Sequence, residues 1–95
     1  MAKAYWIAHV TVTDPDQYKH YAGDAPVAFK KYGATFLARG GASEQMEGNG
    51  RPRNVVVEFP SLQATRDCYN SPEYQAARAK RLGAGEADIV IVEGV

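Results

Sequence analysis

The two ends of the chain carry matching strand-like segments, Ala4-Tyr5-Trp6-Ile7-Ala8-His9-Val10-Thr11-Val12 near the start and Ala87-Asp88-Ile89-Val90-Ile91-Val92-Glu93 near the end. Between them the pattern reads helix, strand, strand and a second helical region. The element order is therefore β-α-β-β-α-β, which constrains the fold strongly and the chemistry hardly at all. Strand side chains alternate, so Tyr5, Ile7, His9 and Thr11 share one face of the first strand and Ala4, Trp6, Ala8, Val10 and Val12 share the other. The second face is wholly apolar and the first mostly so, as in a central strand covered on both sides.

Asp14-Pro15 opens the first helix: Asp caps free amides, and proline is tolerated at the first helical position. Tyr18, Tyr21, Ala22, Ala25, Ala28, Phe29 and Tyr32 recur at three- and four-residue intervals and form an apolar stripe. Pro26 falls inside this pattern and predicts a kink or restart near Gly23-Asp24; Gly33 closes the helix. Residues 34–39 and 53–59 read as strands two and three. The segment between them carries Gly40, Gly41, Gly48, Gly50 and Pro52 and reads as a long hairpin connection. Ser61 caps a short helix to about Tyr69, and Ser71-Pro72-Glu73 starts a second piece that runs to about Leu82, before the break at Gly83-Ala84-Gly85.

Two right-handed β-α-β crossovers joined by a hairpin interleave into a four-stranded antiparallel sheet of order 4-1-3-2, with both helical regions on one face. This is the α+β ferredoxin-like fold, built as a single domain over residues 1–95 because a chain of this length holds one core. The opposite sheet face would expose Phe36 or Leu37, Val56 or Val57, and part of the Ile89-Val90-Ile91-Val92 run. Soluble monomers rarely leave such a patch in water. The simplest cover is a second copy, giving a homodimer through the sheet faces with a barrel-like interior, a dimeric α/β barrel.

With 45% hydrophobic residues, 23% charged residues and no formal net charge, the composition is that of an ordinary globular domain and argues against a nucleic-acid partner. The longest apolar runs are strand-sized and no signal-peptide pattern opens the chain, so the expectation is a cytoplasmic protein with no membrane partner. The lone Cys68 has no second cysteine for a redox pair and reads as a buried small hydrophobe. Two histidines without clustered cysteines or carboxylates predict no metal site. Gly40-Gly41 and Gly48-Asn49-Gly50 lie in a hairpin with no following helix, so no phosphate loop and no cofactor is expected.

Several stretches together resemble one family. They are Tyr5 through Thr13-Asp14-Pro15, Tyr32-Gly33 leading to Arg39-Gly40-Gly41, Val57-Glu58-Phe59-Pro60-Ser61, Tyr69-Asn70-Ser71-Pro72-Glu73-Tyr74-Gln75, and Val92-Glu93-Gly94-Val95. They look like the domain of unknown function 1330 (DUF1330) family, whose members are small bacterial proteins in the dimeric α/β-barrel superfamily. The resemblance implies the dimer and brings no agreed activity, substrate or catalytic set. The superfamily includes cofactor-independent monooxygenases, haem-degrading enzymes, isomerases and ligand-binding domains, and fold alone does not choose among them. Haem degradation of the superfamily's kind would want a histidine on the second helical region, where there is none; His20 lies on the first helix, offset from the stripe and facing solvent.

Antiparallel order brings Arg39, Asn54 and Asp88 to the same end of the sheet as His9. A His with a carboxylate such as Asp88 has the composition of a general base, with Arg39 to hold a carboxylate or stabilise an enolate; the competing reading is a structural histidine. Glu58 interrupts an apolar strand and needs a partner, expected to be Tyr5 or an arginine, in a structural rather than a catalytic role. Arg78, Lys80 and Arg81 end the second helical region, where cations complement the helix dipole and are commonly solvated. The sharper reading has Arg81 capture an anionic ligand over a helix-sheet cleft walled by Trp6, Tyr69 and Tyr74. The same aromatics also suit a plain core. The expected function is a small homodimer that binds a small organic molecule in that cleft, with cofactor-independent proton transfer or oxygenation using His9 as base. The alternative is a non-catalytic ligand-binding or interaction module.

Overall fold

β1 (Ala4–Val12) is a central strand, as its two apolar faces require, and it pairs antiparallel with β3 (Arg53–Phe59) on one side and β4 (Gly85–Glu93) on the other. β2 (Thr35–Arg39) adds to the far edge of β3, giving the order β2-β3-β1-β4, which is the 4-1-3-2 arrangement read from the other side. The computed structural model describes residues 2–95.

Three helices cover one face: α1 (Pro15–Lys31), α2 (Leu62–Tyr69) and α3 (Pro72–Arg81). Each starts where the sequence offers a cap, with the side chains of Asp14, Ser61 and Ser71 accepting from the backbone N–H of Gln17, Ala64 and Tyr74. The apolar face of β1 packs beneath them. Trp6 is fully buried at the centre, edge-on to Phe29 and Tyr74 with ring centroids 5.0 and 4.8 Å away, and in contact with Phe59 and Tyr69. Cys68 is buried in the same layer, as expected.

Three boundaries differ from expectation. α1 continues from Pro15 to Lys31 through Pro26 as one helix, without the restart that the expectation of a kink or restart near Gly23-Asp24 allowed. The compensation comes from another element: the Ala22 carbonyl, which Pro26 cannot serve, receives a 3.1 Å hydrogen bond from Arg39 Nη2 of β2. β2 begins at Thr35 rather than Ala34, and a bulge between Phe36 and Ala38 shifts its register. β4 begins at Gly85, two residues early, because a glycine fits against β1 there: a Cβ would stand 2.5 Å from the Thr11 carbonyl oxygen.

The molecule is only 17 Å thick along its shortest axis, the depth of one sheet and one helix layer. The second sheet face is bare. Val90 and Val92 are about half exposed on it, beside the partly buried Ile7 and Val56.

Candidate functional site

The register decides which sequence candidates can meet. His9 lies opposite Asn54 on β3 and Asp88 on β4, so these three share the bare sheet face. The imidazole Nδ1–H donates to Asn54 Oδ1, and the Asn54 amide donates in turn to Ser43 Oγ, which fixes the tautomer with the proton on Nδ1. Asp88 is engaged elsewhere: Arg51 Nε donates to it at 3.0 Å while Arg51 Nη1 reaches Glu86 and Thr11. Arg39 sits on the other face. The β2 bulge puts both Phe36 and Arg39 on the helix side, where the guanidinium stacks 4.5 Å from the Phe36 ring and bonds the Ala22 carbonyl. His9, Arg39 and Asp88 therefore reach one end of the sheet, as expected, without converging within a protomer.

Glu58 pairs with Lys3 at 3.2 Å, not with Tyr5 or an arginine. The Tyr5 position opposite Glu58 matches the expected register. His20 is exposed, as expected.

Arg81 departs furthest from the solvated reading. It closes α3, yet only 7% of its surface is exposed, and its guanidinium lies 5.1 Å from the Tyr21 ring. Among the described residues every ion pair is made by Lys3, Lys19, Lys31, Arg51 or Lys80, so no carboxylate serves Arg81. A largely buried cation without a counter-ion costs several kcal/mol. The α3 dipole returns about 0.3–1 kcal/mol and the desolvated stacking on Tyr21 about 2 kcal/mol or more, and neither supplies the missing counter-charge.

Two cavities border Arg81. Under α1 a slot of about 30 Å³ runs between Trp6, Phe29, Arg39 and Arg53, enough for a water molecule or two and too small for an organic ligand. On the other side, between α3 and the edge strand β4, an open groove of about 400 Å³ is lined by Tyr69, Arg78, Arg81, Ala87, Ile89 and Ile91. That volume lies within the ordinary range for small-molecule sites. Arg78 Nε is buried there without a partner.

Of the expected aromatic walls, Tyr69 lines the groove, whereas Trp6 and Tyr74 are fully buried beneath it in the core. The Tyr74 hydroxyl lies 2.9 Å from that of Tyr21. Burial raises the pKa of both phenols, and burial pushes the Cys68 thiol up to about 12, so neither kind of group supplies an anion at neutral pH. Arg78 and Arg53 belong to the cavity linings although sequence reasoning singled out neither as a ligand contact. Arg78 was findable, one helical turn before Arg81 on the same side. The alternation with Val55 and Val57 places Arg53 on the helix face of β3 in the same way.

A four-stranded sheet of this order under three helices, with a groove at the edge strand, defines an α+β protein of the ferredoxin-like fold. Within that class the chain belongs to the DUF1330 family, whose model, a domain of unknown function, matches residues 3–95. RPA0582 of Rhodopseudomonas palustris, a protein of unknown function, superposes with a TM-score of 0.72 at 17% identity over 99% of this chain and 83% of that one. SnoaB of Streptomyces nogalater, a cofactor-independent oxygenase, gives 0.69 at 11% identity over 100% and 95%. A dimeric protein of unknown function and ferredoxin-like fold from Bacteroides fragilis gives 0.57 at 15% identity over 97% and 96%. No curated protein matches the chain. Among the described residues no helix is long and apolar enough to cross a membrane.

Proposed function

We propose that the protein is a homodimer, joined through its bare sheet faces, in which each protomer binds a small organic molecule in the groove between α3 and β4. The observation that carries the binding site is Arg81, a nearly buried cation without a counter-ion that borders a groove of about 400 Å³ with apolar walls. The dimer is supported by the exposed Val90 and Val92 on a two-layer molecule and by the dimeric state of the similar Bacteroides fragilis protein.

Likeness to SnoaB supports cofactor-independent oxygenation as the chemistry of such a site, with Arg81 stabilising an enolate or phenolate that then meets oxygen. A specific observation favours simple binding as the second reading: neither cavity lining contains a histidine or a carboxylate to act as base. His9, with its imidazole on the opposite face, suits a structural role at the dimer interface better than that of base.

A thermal-shift screen with small phenols, quinones and acids, run on the wild type and on Ala87→Phe, tests the groove. A ligand at a hundred times its Kd adds about 2.7 kcal/mol of stability. Stabilising molecules that lose their effect in a folded, dimeric Ala87→Phe protein support the site. Equal stabilisation of both proteins, or none of the wild type, contradicts it. Oxygen uptake by a bound phenol or quinol then separates oxygenation from binding alone.

A further inference from the structure

We infer that the α3-β4 groove is a carboxylate site, taking a small organic monocarboxylate with an apolar body. Its carboxylate lies between Arg78 and Arg81, and its body rests on Ala87, Ile89 and Ile91 beside Tyr69. This rests on the groove being a ligand site, and it names the class of ligand.

Two arginines of α3 line the same open groove. Arg81 is more than nine-tenths buried, and Arg78, three residues earlier on α3 and thus its neighbour on the helix surface, has its Nε buried without a hydrogen-bond partner. Neither has an acidic partner among the described residues. One anion bound by both supplies the counter-charge and an acceptor for the unpaired Arg78 Nε together. A neutral alcohol, amide or ketone leaves the charges standing.

The shape of the lining selects the anion. Guanidinium presents parallel N–H donors in a plane, the geometry of a carboxylate. Beyond the two arginines only Tyr69 brings a polar side chain; the other lining residues are alanine and isoleucine. Phosphate could accept from the same guanidiniums, but its dianion brings a second charge into a groove otherwise walled by alanine and isoleucine, which strip its water. A carboxylate with an aliphatic or aromatic body carries one charge and sets its apolar body against those walls.

Titration calorimetry of the intact protein with 3-phenylpropanoate and octanoate, each against its neutral amide, and with phenyl phosphate, tests the inference. The acids are expected to bind, with the amides at least tenfold weaker because they forgo charge-assisted bonds. Arg81→Met and Arg78→Met should each weaken acid binding about tenfold or more and leave amide binding unchanged, and Arg81→Lys should recover only part of it. Circular dichroism checks each variant, with Arg78→Gln as the substitute where a methionine variant fails to fold. Equal binding of acid and amide, tighter binding of phenyl phosphate, or acid binding indifferent to the arginine variants overturns the carboxylate inference while the groove reading stands. Failure of every acid to bind also overturns it; if the amides fail too and Ala87→Phe changes nothing in the thermal-shift screen, the groove reading falls with it.

Discussion

Arg39 Nη2 donates to the Ala22 carbonyl oxygen at 3.1 Å, the acceptor four residues before Pro26 that the proline leaves without its helical partner. A residue from an edge strand thus completes a helix that its own sequence would break. Arg39→Ala is expected to cost about 1 kcal/mol, the worth of one exposed charge-assisted hydrogen bond. Pro26→Ala restores the backbone donor, so in that background the cost of Arg39→Ala should shrink toward zero. A double-mutant cycle by urea denaturation reads the coupling; additive costs would mean that the bond contributes nothing.

The paired hydroxyls of Tyr21 and Tyr74 make a second cycle. Either phenylalanine substitution leaves one hydroxyl without its partner and should cost about 1 kcal/mol, while the double variant should cost less than the sum of the two. Additive denaturation energies would show the hydroxyls to be independently solvated.

Alkaline stability should fall in a defined order. Cys68 has its pKa raised from 9.0 to about 12 in the fold, so above pH 9 the unfolded chain loses this proton and the native one keeps it. Stability present below that pH is then lost as pH rises toward 12. Tyr21 and Tyr74, also raised by burial, add a further loss above pH 10. Denaturation between pH 8 and 11 should show this decline beginning later in Cys68→Ala; identical profiles for the two proteins would exclude the buried thiol as a cause.

On the bare sheet face, Val90→Asp should convert a species of twice the 10.3 kDa chain mass into monomer, measured by light scattering. His9→Ala should weaken the dimer and leave groove ligands unaffected. Loss of ligand binding by the His9 variant with the dimer intact would return His9 to the site.

The fold was legible because its determinants are local and repeated. The alternation in β1, the Asp14, Ser61 and Ser71 caps and the glycine-rich hairpin each locate an element to within a residue or two. Pro26 misled because its remedy, Arg39, comes from another element and is invisible to a local pattern. The site was legible only in part. Strand pairing placed His9, Arg39 and Asp88 at one end of the sheet, but the β2 bulge reverses the alternation that would put Arg39 beside His9. The pattern offers Arg81 as an anion contact, while its burial, set by how α3 packs on α1 and Tyr21, has no signature in a helix end rich in cations.

The proposed function turns on Arg81 as a charge retained for a ligand rather than for the fold. The most direct test is the unfolding free energy of ligand-free Arg81→Met against the wild type, because replacing a buried charge that lacks a partner by an apolar side chain of similar length relieves desolvation. The expected variant is as stable as the wild type or more stable by about 1 kcal/mol or more. A variant less stable by about 2 kcal/mol or more, the size of a desolvated stacking contact such as the one on Tyr21, would contradict this and make Arg81 a structural residue.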